Sequence, residues 1–269
     1  MVKGSRIDSL YGSLLRSPRL DADPWSRTNL QIFRPRHTLL WEQIHHHLPE
    51  PRDTIADIGC HNGFFLRLSA ELGFRRFVGV DYFPLPPERS FLEELPDAHL
   101  LRANFNTDDF LQSIDAQSVD CVVSTEVLEH LYHHPVGYLA ECWRILRHGG
   151  LLLLSTPNPC NLTRALKLIG GRSPMWGDAA FARTPKITAD GQPLAVWDIH
   201  FREYPLATVR DLAAELPGAQ VLAEGFIANA PSQRSRAAKN LALELTWRAG
   251  LGHQRLLSAS EYMVLRRAA

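Results

Sequence analysis

The sequence predicts an α/β fold: a doubly wound, seven-stranded sheet, mostly parallel, with an antiparallel edge strand. Three observations carry the prediction. Short apolar runs alternate with segments of helical period from residue 54 to residue 154, and strands alternating with helices demand a parallel sheet covered on both faces. A turn with a glycine near each end, "DIGCHNGFF" at 57–65, joins the first run to the first helical segment. Two late runs, "AQVLAEGFI" and "EYMVLRR", are neighbours in strand order and suggest an antiparallel hairpin at the sheet edge, with a helix over 235–249 in its connection.

In chain order, "RPRHTLLWEQIHHHLP" places Leu39, Leu40, Ile44 and Leu48 at helical spacing and ends at Pro49, which predicts a leading amphipathic helix. "TIADIG" is a buried-strand run stopped by glycine. "GFFLRLSAELG" has helical period and a closing glycine, and "RFVGVD" is a second strand, completing a β-α-β unit. "AHLLRAN", "VDCVVS" and "GLLLLST" are further strands, with a helix over "VGYLAECWRILRHGG" between the last two; "LATVRDLAAEL" is a later helix. Right-handed crossovers then leave the doubly wound sheet as the economical topology. Residues 157–197, rich in Pro, Gly and Thr, fit no element; so long an irregular stretch in a compact domain reads as a lid or as disorder. The predicted divisions are an N-terminal helical cap (1–50), a cofactor-binding half (51–156), a substrate lid (157–200) and the C-terminal half of the same domain (201–269).

Composition narrows the partners. The 269 residues carry 29 basic and 29 acidic side chains, so no global field draws the chain to nucleic acid or to an anionic membrane. Four cysteines lie far apart without a C-x-x-C pair, which predicts reduced thiols and a cytoplasmic setting rather than a disulfide framework. The opening residues lack a leader pattern and no run approaches the roughly 20 apolar residues of a membrane span.

Ligands of a doubly wound sheet sit beyond the carboxyl ends of its strands, where this glycine turn lies. A dinucleotide fingerprint needs G-x-G-x-x-G, but Cys60, His61 and Asn62 separate Gly59 from Gly63, so a nicotinamide cofactor fails on spacing. What remains is Asp57 at a strand end, two flexible backbone points, and Asp81 closing the second strand, where a carboxylate can accept from a ribose diol.

Here the chain resembles the class I S-adenosylmethionine-dependent methyltransferases, Rossmann-like enzymes whose first motif runs Asp/Glu-x-Gly-x-Gly-x-Gly. Asp57, Gly59 and Gly63 match, and His61 stands for the middle glycine. "SVDCVVSTEVLEHLYHHPVGYLAECWRILRHGGLLLLSTPNP" and "HFREYPLATVRDLAAEL" resemble later segments of the family, so the likeness runs over about residues 52–226. It implies S-adenosyl-L-methionine as cofactor, Asp81 on the ribose hydroxyls, Tyr82 and Phe83 flanking the adenine, and Asn104 and Phe105 at its edge. Cys60, His61, Ser124 and Glu126 complete the implied cofactor set.

"STEVLEHLYHH" opens after the fourth strand. On a helix Glu126, Glu129, His130 and His133 would share one face, with His133 and His134 at its rim before Pro135. Two readings stay open. His130, with Glu129 beside it, can act as general base toward an attacking hydroxyl. Alternatively, resemblance to small-RNA 2′-O-methyltransferases and ubiquinone-pathway O-methyltransferases implies that Glu126, Glu129, His130 and the distant His200 hold Mg²⁺ or Mn²⁺. Asp198, before His200, would orient it or bind substrate. A sulfonium methyl needs no base for a nitrogen nucleophile, so this face points to O-methyl transfer.

The expected acceptor is a small molecule or oligosaccharide, most readily a sugar hydroxyl, given Arg172, Trp176, Arg183 and Trp197 in the lid. RNA 2′-O-methylation shares the Glu-x-x-Glu-His pattern but would want a basic groove. A phenol or quinone acceptor would want a more apolar lid. From another class, a non-catalytic cofactor-binding scaffold would have lost the glycines or Asp81. Tyr11, Trp25 and Arg27 in the leading segment are candidates either to cap the pocket or to pack in the core.

Overall fold

A computed structural model describes residues 3–21, 24–83, 85–107, 109–132, 135–176, 182–183, 199–227 and 257–268. Helix α1 (Lys3–Leu15) and helix α2 (Pro24–His47) precede the first strand. Strands β1 (Thr54–Ile58) and β2 (Arg76–Asp81) flank α3 (Phe64–Ser69), and β3 (Ala98–Arg102) and β4 (Val119–Thr125) follow. Helix α4 (Pro135–Ile145) leads directly into β5 (Leu146–Pro157). After α5 (Leu162–Ile169) and α6 (Leu206–Ala214) come β6 (Ala219–Ile227) and β7 (Ser260–Arg267).

The seven strands form one sheet in the order β3-β2-β1-β4-β5-β7-β6. Strands β1 to β5 pair in parallel, and β7 runs antiparallel to both β5 and β6. The expected hairpin is therefore at the edge, with its antiparallel strand β7 inside and β6 outermost. The helix expected over 235–249 lies outside the described residues.

Strand residues alternate between two cores, as the pleat requires. Ile55, Cys121, Val123, Leu151 and Leu153 face α1, α2 and α3, while Ala56, Ile58, Val122, Leu152 and Leu154 face α4 and α6. The continuous apolar runs of β1, β4 and β5 follow from burial on both faces.

Three expectations change. Helix α2 begins ten residues before "RPRH" and runs through Pro35. Proline in a helix interior lacks the donor for its own turn, so a helix that starts beside Pro35 is the ordinary expectation. Yet Leu30, Phe33, His37, Leu40, Trp41 and Ile44 keep one helical period across it. Second, the segment from 157 holds helix α5, started by Asn161, whose Oδ1 accepts from the Arg164 amide at 3.0 Å.

Third, "STEVLEHL" is not an α-helix. Strand β4 ends at Thr125, Glu126 takes a left-handed φ of 54°, and only a single 3₁₀ turn, Leu128–His130, follows. Leu131 is extended and α4 starts at Pro135, a residue suited to a helix's first turn but which pushes its predecessor out of helical geometry. The one-face argument for Glu126, Glu129, His130 and His133 therefore fails, and His133 and His134 lie outside the described residues. Among the described residues no helix is long and apolar enough to cross a membrane, and all four cysteines are free thiols.

Candidate functional site

A cavity of about 500 Å³ opens beyond the carboxyl ends of β1, β2 and β4, beside the point where strand order reverses. Its floor is the glycine turn. Gly59 has φ 87°, and a Cβ there would stand 2.6 Å from Val127 Cγ2; Gly63 has φ 72° and would meet Leu92 at 2.8 Å. His61 also has a positive φ, 49°. The middle position of the turn therefore needs left-handed backbone, which a histidine adopts at moderate strain where glycine would adopt it freely.

The His61 amide donates to Asp81 Oδ2 at 2.8 Å, and the Phe83 amide donates to Oδ1 at 2.8 Å. Both carboxylate oxygens are thus oriented by backbone, with lone pairs left for a diol. Asp57 is buried in the same cavity, and its Oδ1 makes no hydrogen bond among the described residues. Burial, then the charge of Asp81, pushes its carboxyl up to about 7, against the opposing pull of Arg36.

Helix α2 closes the other side with Ser26, Asn29, Leu30, Phe33, Arg36 and His37. The Arg36 guanidinium is 4% exposed and pairs with Glu126 Oε1 at 2.8 Å, while its Nε makes no hydrogen bond among the described residues. A buried cation and a buried carboxyl oxygen, both with unused hydrogen-bonding capacity, line one cavity. That donor set fits the carboxylate and ammonium of an α-amino acid, and the Asp81 carboxylate fits a ribose.

Behind α2, Tyr11 donates to the Leu30 carbonyl at 2.5 Å, lies 2.9 Å from His37 Nδ1, and packs edge-on to Phe64 at 4.9 Å. Burial, reinforced by Arg36, drives the His37 pKa down to about 3, so this ring is neutral packing and hydrogen-bonding structure. Tyr11 is core, Arg27 pairs with Asp21, and the Trp25 side chain lies outside the described residues.

Of the expected cofactor residues, Asp57, Gly59, Cys60, His61, Asp81, Tyr82, Phe105 and Glu126 line the cavity. Gly63 shapes the turn from below. Ser124 is corrected: its hydroxyl is buried 2.7 Å from the Tyr138 hydroxyl, and Thr125, one residue on and so on the opposite strand face, lines the cavity instead. Asn104 is corrected too: it does not line the cavity, and its Oδ1 accepts from the Asn106 amide at 3.1 Å in a turn that presents Phe105. Arg36, Asn29 and Phe33 were missed: Asn29 and Phe33 precede the segment expected to be helical, and Arg36, inside it, belongs to no motif.

At the mouth, two segments 70 residues apart interlock. The Phe201 amide donates to the Glu129 carbonyl at 2.7 Å, and His130 Nδ1 lies 2.8 Å from the Ile199 carbonyl. A carbonyl only accepts, so Nδ1 carries the proton and Nε2 of the neutral ring carries the lone pair. His200 Nδ1 lies 2.6 Å from Glu203 Oε1, which puts its proton on Nδ1 in the same way. The two rings meet edge to face at 5.0 Å.

Ligand atoms of Glu129, His130 and His200 lie within 4.8 Å of one another. Glu129 is fully buried; Oε2 accepts from Thr156 Oγ1 at 3.3 Å and Oε1 has no hydrogen bond among the described residues. Burial and the nearby Glu126 raise its pKa well above the ordinary carboxylate value. Glu126 does not join this group: it is held by Arg36 and by the Ser155 hydroxyl at 3.2 Å. Asp198 lies outside the described residues.

Residues 56–154 match the family model of a methyltransferase domain. A probable S-adenosylmethionine-dependent methyltransferase of Mycolicibacterium smegmatis is 33% identical over 129 residues, 46% of this chain and 44% of that protein. Residues 56–154 are thus similar to the methyltransferase domain of S-adenosylmethionine-dependent enzymes. A ubiquinone biosynthesis O-methyltransferase of Xanthomonas campestris is 30% identical over 126 residues, 45% of this chain and 49% of that protein. The matched stretch thus spans about half the length of the curated relatives. A crystal structure of a SAM-dependent methyltransferase from Archaeoglobus fulgidus superposes with a TM-score of 0.54 at 16% identity, covering 90% of this chain and 99% of that one, a likeness of fold. The Arg36 and Asp57 end of the cavity has the chemistry to fit the amino-acid part of S-adenosylmethionine, and its Asp81 end the ribose.

Proposed function

We propose that this chain is an S-adenosylmethionine-dependent O-methyltransferase whose acceptor hydroxyl is activated at Glu129, His130 and His200. The observation that carries the reading is the cluster itself: ligand atoms of Glu129, His130 and His200 lie within 4.8 Å of one another, each histidine has Nδ1 against a fixed acceptor, and Glu129 Oε1 makes no hydrogen bond among the described residues. Imidazoles that bind a cation are held in this way, by a carbonyl or carboxylate on the other ring nitrogen. Two nitrogens and one oxygen suit Mn²⁺ better than Mg²⁺, which prefers oxygen alone.

When bound, the cofactor supplies a methyl already activated as a sulfonium. A divalent cation held by these three side chains would lower the acceptor's pKa. The chain's own part is to hold Asp81 and the glycine turn against the ribose and to exclude water with α2. It also places a proton-accepting group where the hydroxyl arrives. An amine would need no such group.

For the acceptor, the earlier preference for a sugar yields to an apolar ring of phenol or hydroquinone type. Helix α5 turns Leu166, Leu168 and Ile169 to solvent, and the Trp176 ring lies 6.4 Å from His200. Likeness to ubiquinone-pathway O-methyltransferases supports the same choice. The described part of the expected lid, 157–176 with 182–183 and 199–200, then flanks the acceptor, whereas the rest of it, Trp197 included, lies outside the described residues; 1–50 serve as a cap, and 51–156 with 201–269 as the two halves of the domain. Free thiols suit a cytoplasmic setting.

The test is incubation with methyl-labelled S-adenosylmethionine and separate pools of phenols, saccharides and RNA, with and without EDTA. Label in the phenol pool, lost in EDTA and restored by Mn²⁺, is the expected result. Label only in saccharide or RNA replaces the acceptor class. Undiminished transfer in EDTA replaces the cation with His130 acting as general base, and cofactor binding without transfer to any pool favours a scaffold.

A further inference from the structure

We propose that Glu203 is the positioning residue of the acceptor site: it fixes the His200 ring so that Nε2 carries the lone pair, while Arg164 of helix α5 holds its second oxygen. The inference rests on the proposed role of His200 but concerns Glu203, to which the "HFREY" resemblance assigned no role. Glu203 sits three residues after His200, with its side chain 1% exposed. Oε1 lies 2.6 Å from His200 Nδ1, and Oε2 lies 2.6 Å from Arg164 Nη1.

A carboxylate this deeply buried is costly unless compensated, and Arg164 is the cation that compensates it. The anion in turn makes the Nδ1–H···O bond charge-assisted, roughly twice as strong as a neutral one, which is enough to overrule an imidazole's own tautomer preference. The main chain that carries the ring is held as well, because the His200 amide faces the Trp176 carbonyl at 3.4 Å and the Ile199 carbonyl is taken by His130.

Arg164 gives this arrangement a second consequence. Helix α5 buries none of its own residues, and Arg164 reaches from its first turn both to Glu203 and to the Pro174 carbonyl at 2.6 Å. The ion pair therefore ties the exposed apolar helix to the segment that carries His200. An acceptor that settles on α5 meets a histidine whose orientation depends on the same helix.

The experiment is ¹⁵N–¹H correlation NMR of the whole chain with labelled histidine at pH 8.5, where an imidazole of ordinary pKa is neutral, with His200 assigned by loss of its signals in H200Q. Wild type should show His200 protonated on Nδ1. Glu203→Ala should lose that tautomer, and Glu203→Gln, whose amide oxygen still accepts, should keep it. Circular dichroism and the His130 signals report whether each variant is folded, and Gln carries the test should Ala fail to fold.

Mn²⁺ affinity, read by electron paramagnetic resonance, should fall about 10- to 100-fold in the Ala variant. An unchanged His200 tautomer in Glu203→Ala, or its loss in a folded Glu203→Gln, overturns the proposal. If wild type takes up no Mn²⁺, the cation reading fails while the tautomer result still decides the role of Glu203.

Discussion

The two ends of the cavity are built differently. In the proposed reading the ribose side of the cofactor end comes from one continuous stretch, β1 through the residues just after β2, and is held largely by backbone: the close approach at Gly59 and the His61 and Phe83 amides on Asp81. The acceptor end is assembled from the turn after β4, the segment before α6 and helix α5, and its working atoms are side chains positioned by one another. A site made of local backbone constrains residue type at fixed spacing. A site made of cross-chain side-chain contacts constrains chemistry but leaves spacing open.

That division predicts separable failures. Replacing His130 by Ala should lower turnover by about 10²- to 10⁴-fold, the usual worth of a positioned proton acceptor, with cofactor affinity within about twofold of wild type. Initial-rate kinetics alongside calorimetry read both, and a comparable loss of cofactor affinity would mean the ends are not separate.

Asp81→Ala should do the reverse at the level of binding. It removes a charged acceptor from the ribose end, worth about 1.5–3 kcal/mol per hydrogen bond, so affinity should drop about 10- to 100-fold. Gly59→Ala should weaken binding to a similar extent, because a Cβ at φ 87° is strained and meets Val127 at 2.6 Å.

A smaller effect sharpens the same contrast through pH. The Asp57 carboxyl, pushed up to about 7 by burial and by Asp81, is mostly neutral below that pH in the empty cavity. Its charged form is the one that attracts an ammonium. Cofactor affinity should therefore rise with pH, by at most about tenfold per unit below 7, and level off above it. Asp57→Asn should flatten the profile; a pH-dependent wild type with an equally pH-dependent Asn variant would assign the effect elsewhere. Smallest, Tyr11→Phe removes the hydroxyl between the Leu30 carbonyl and His37 and should cost about 1–3 kcal/mol of stability in a denaturant melt, leaving turnover of the folded fraction unchanged.

The same contrast explains what the sequence could say. All seven strands and the chemistry of "DIGCHNG" were legible because period, glycine spacing and a strand-end acid are local signals. Arg36 was not: it lies in the expected helix, but which side chains of that helix meet the cavity depends on contacts far apart in sequence. Glu129 and His130 were expected on a helix face that does not exist, and His200 was added through resemblance alone; a 3₁₀ turn and a segment about 70 residues away bring the three together. Glu203 lies in the "HFREY" stretch that carried the resemblance, but its pairing with Arg164 left no local signal, because it is a contact across 39 residues.

Titration calorimetry of S-adenosylmethionine into wild type, His130→Ala and Asp81→Ala, with and without EDTA, tests the divided cavity most directly. The account predicts one saturable site in wild type, unchanged by EDTA and by His130→Ala and weakened by Asp81→Ala. Absence of binding to wild type, or binding lost with His130 and kept without Asp81, would contradict it.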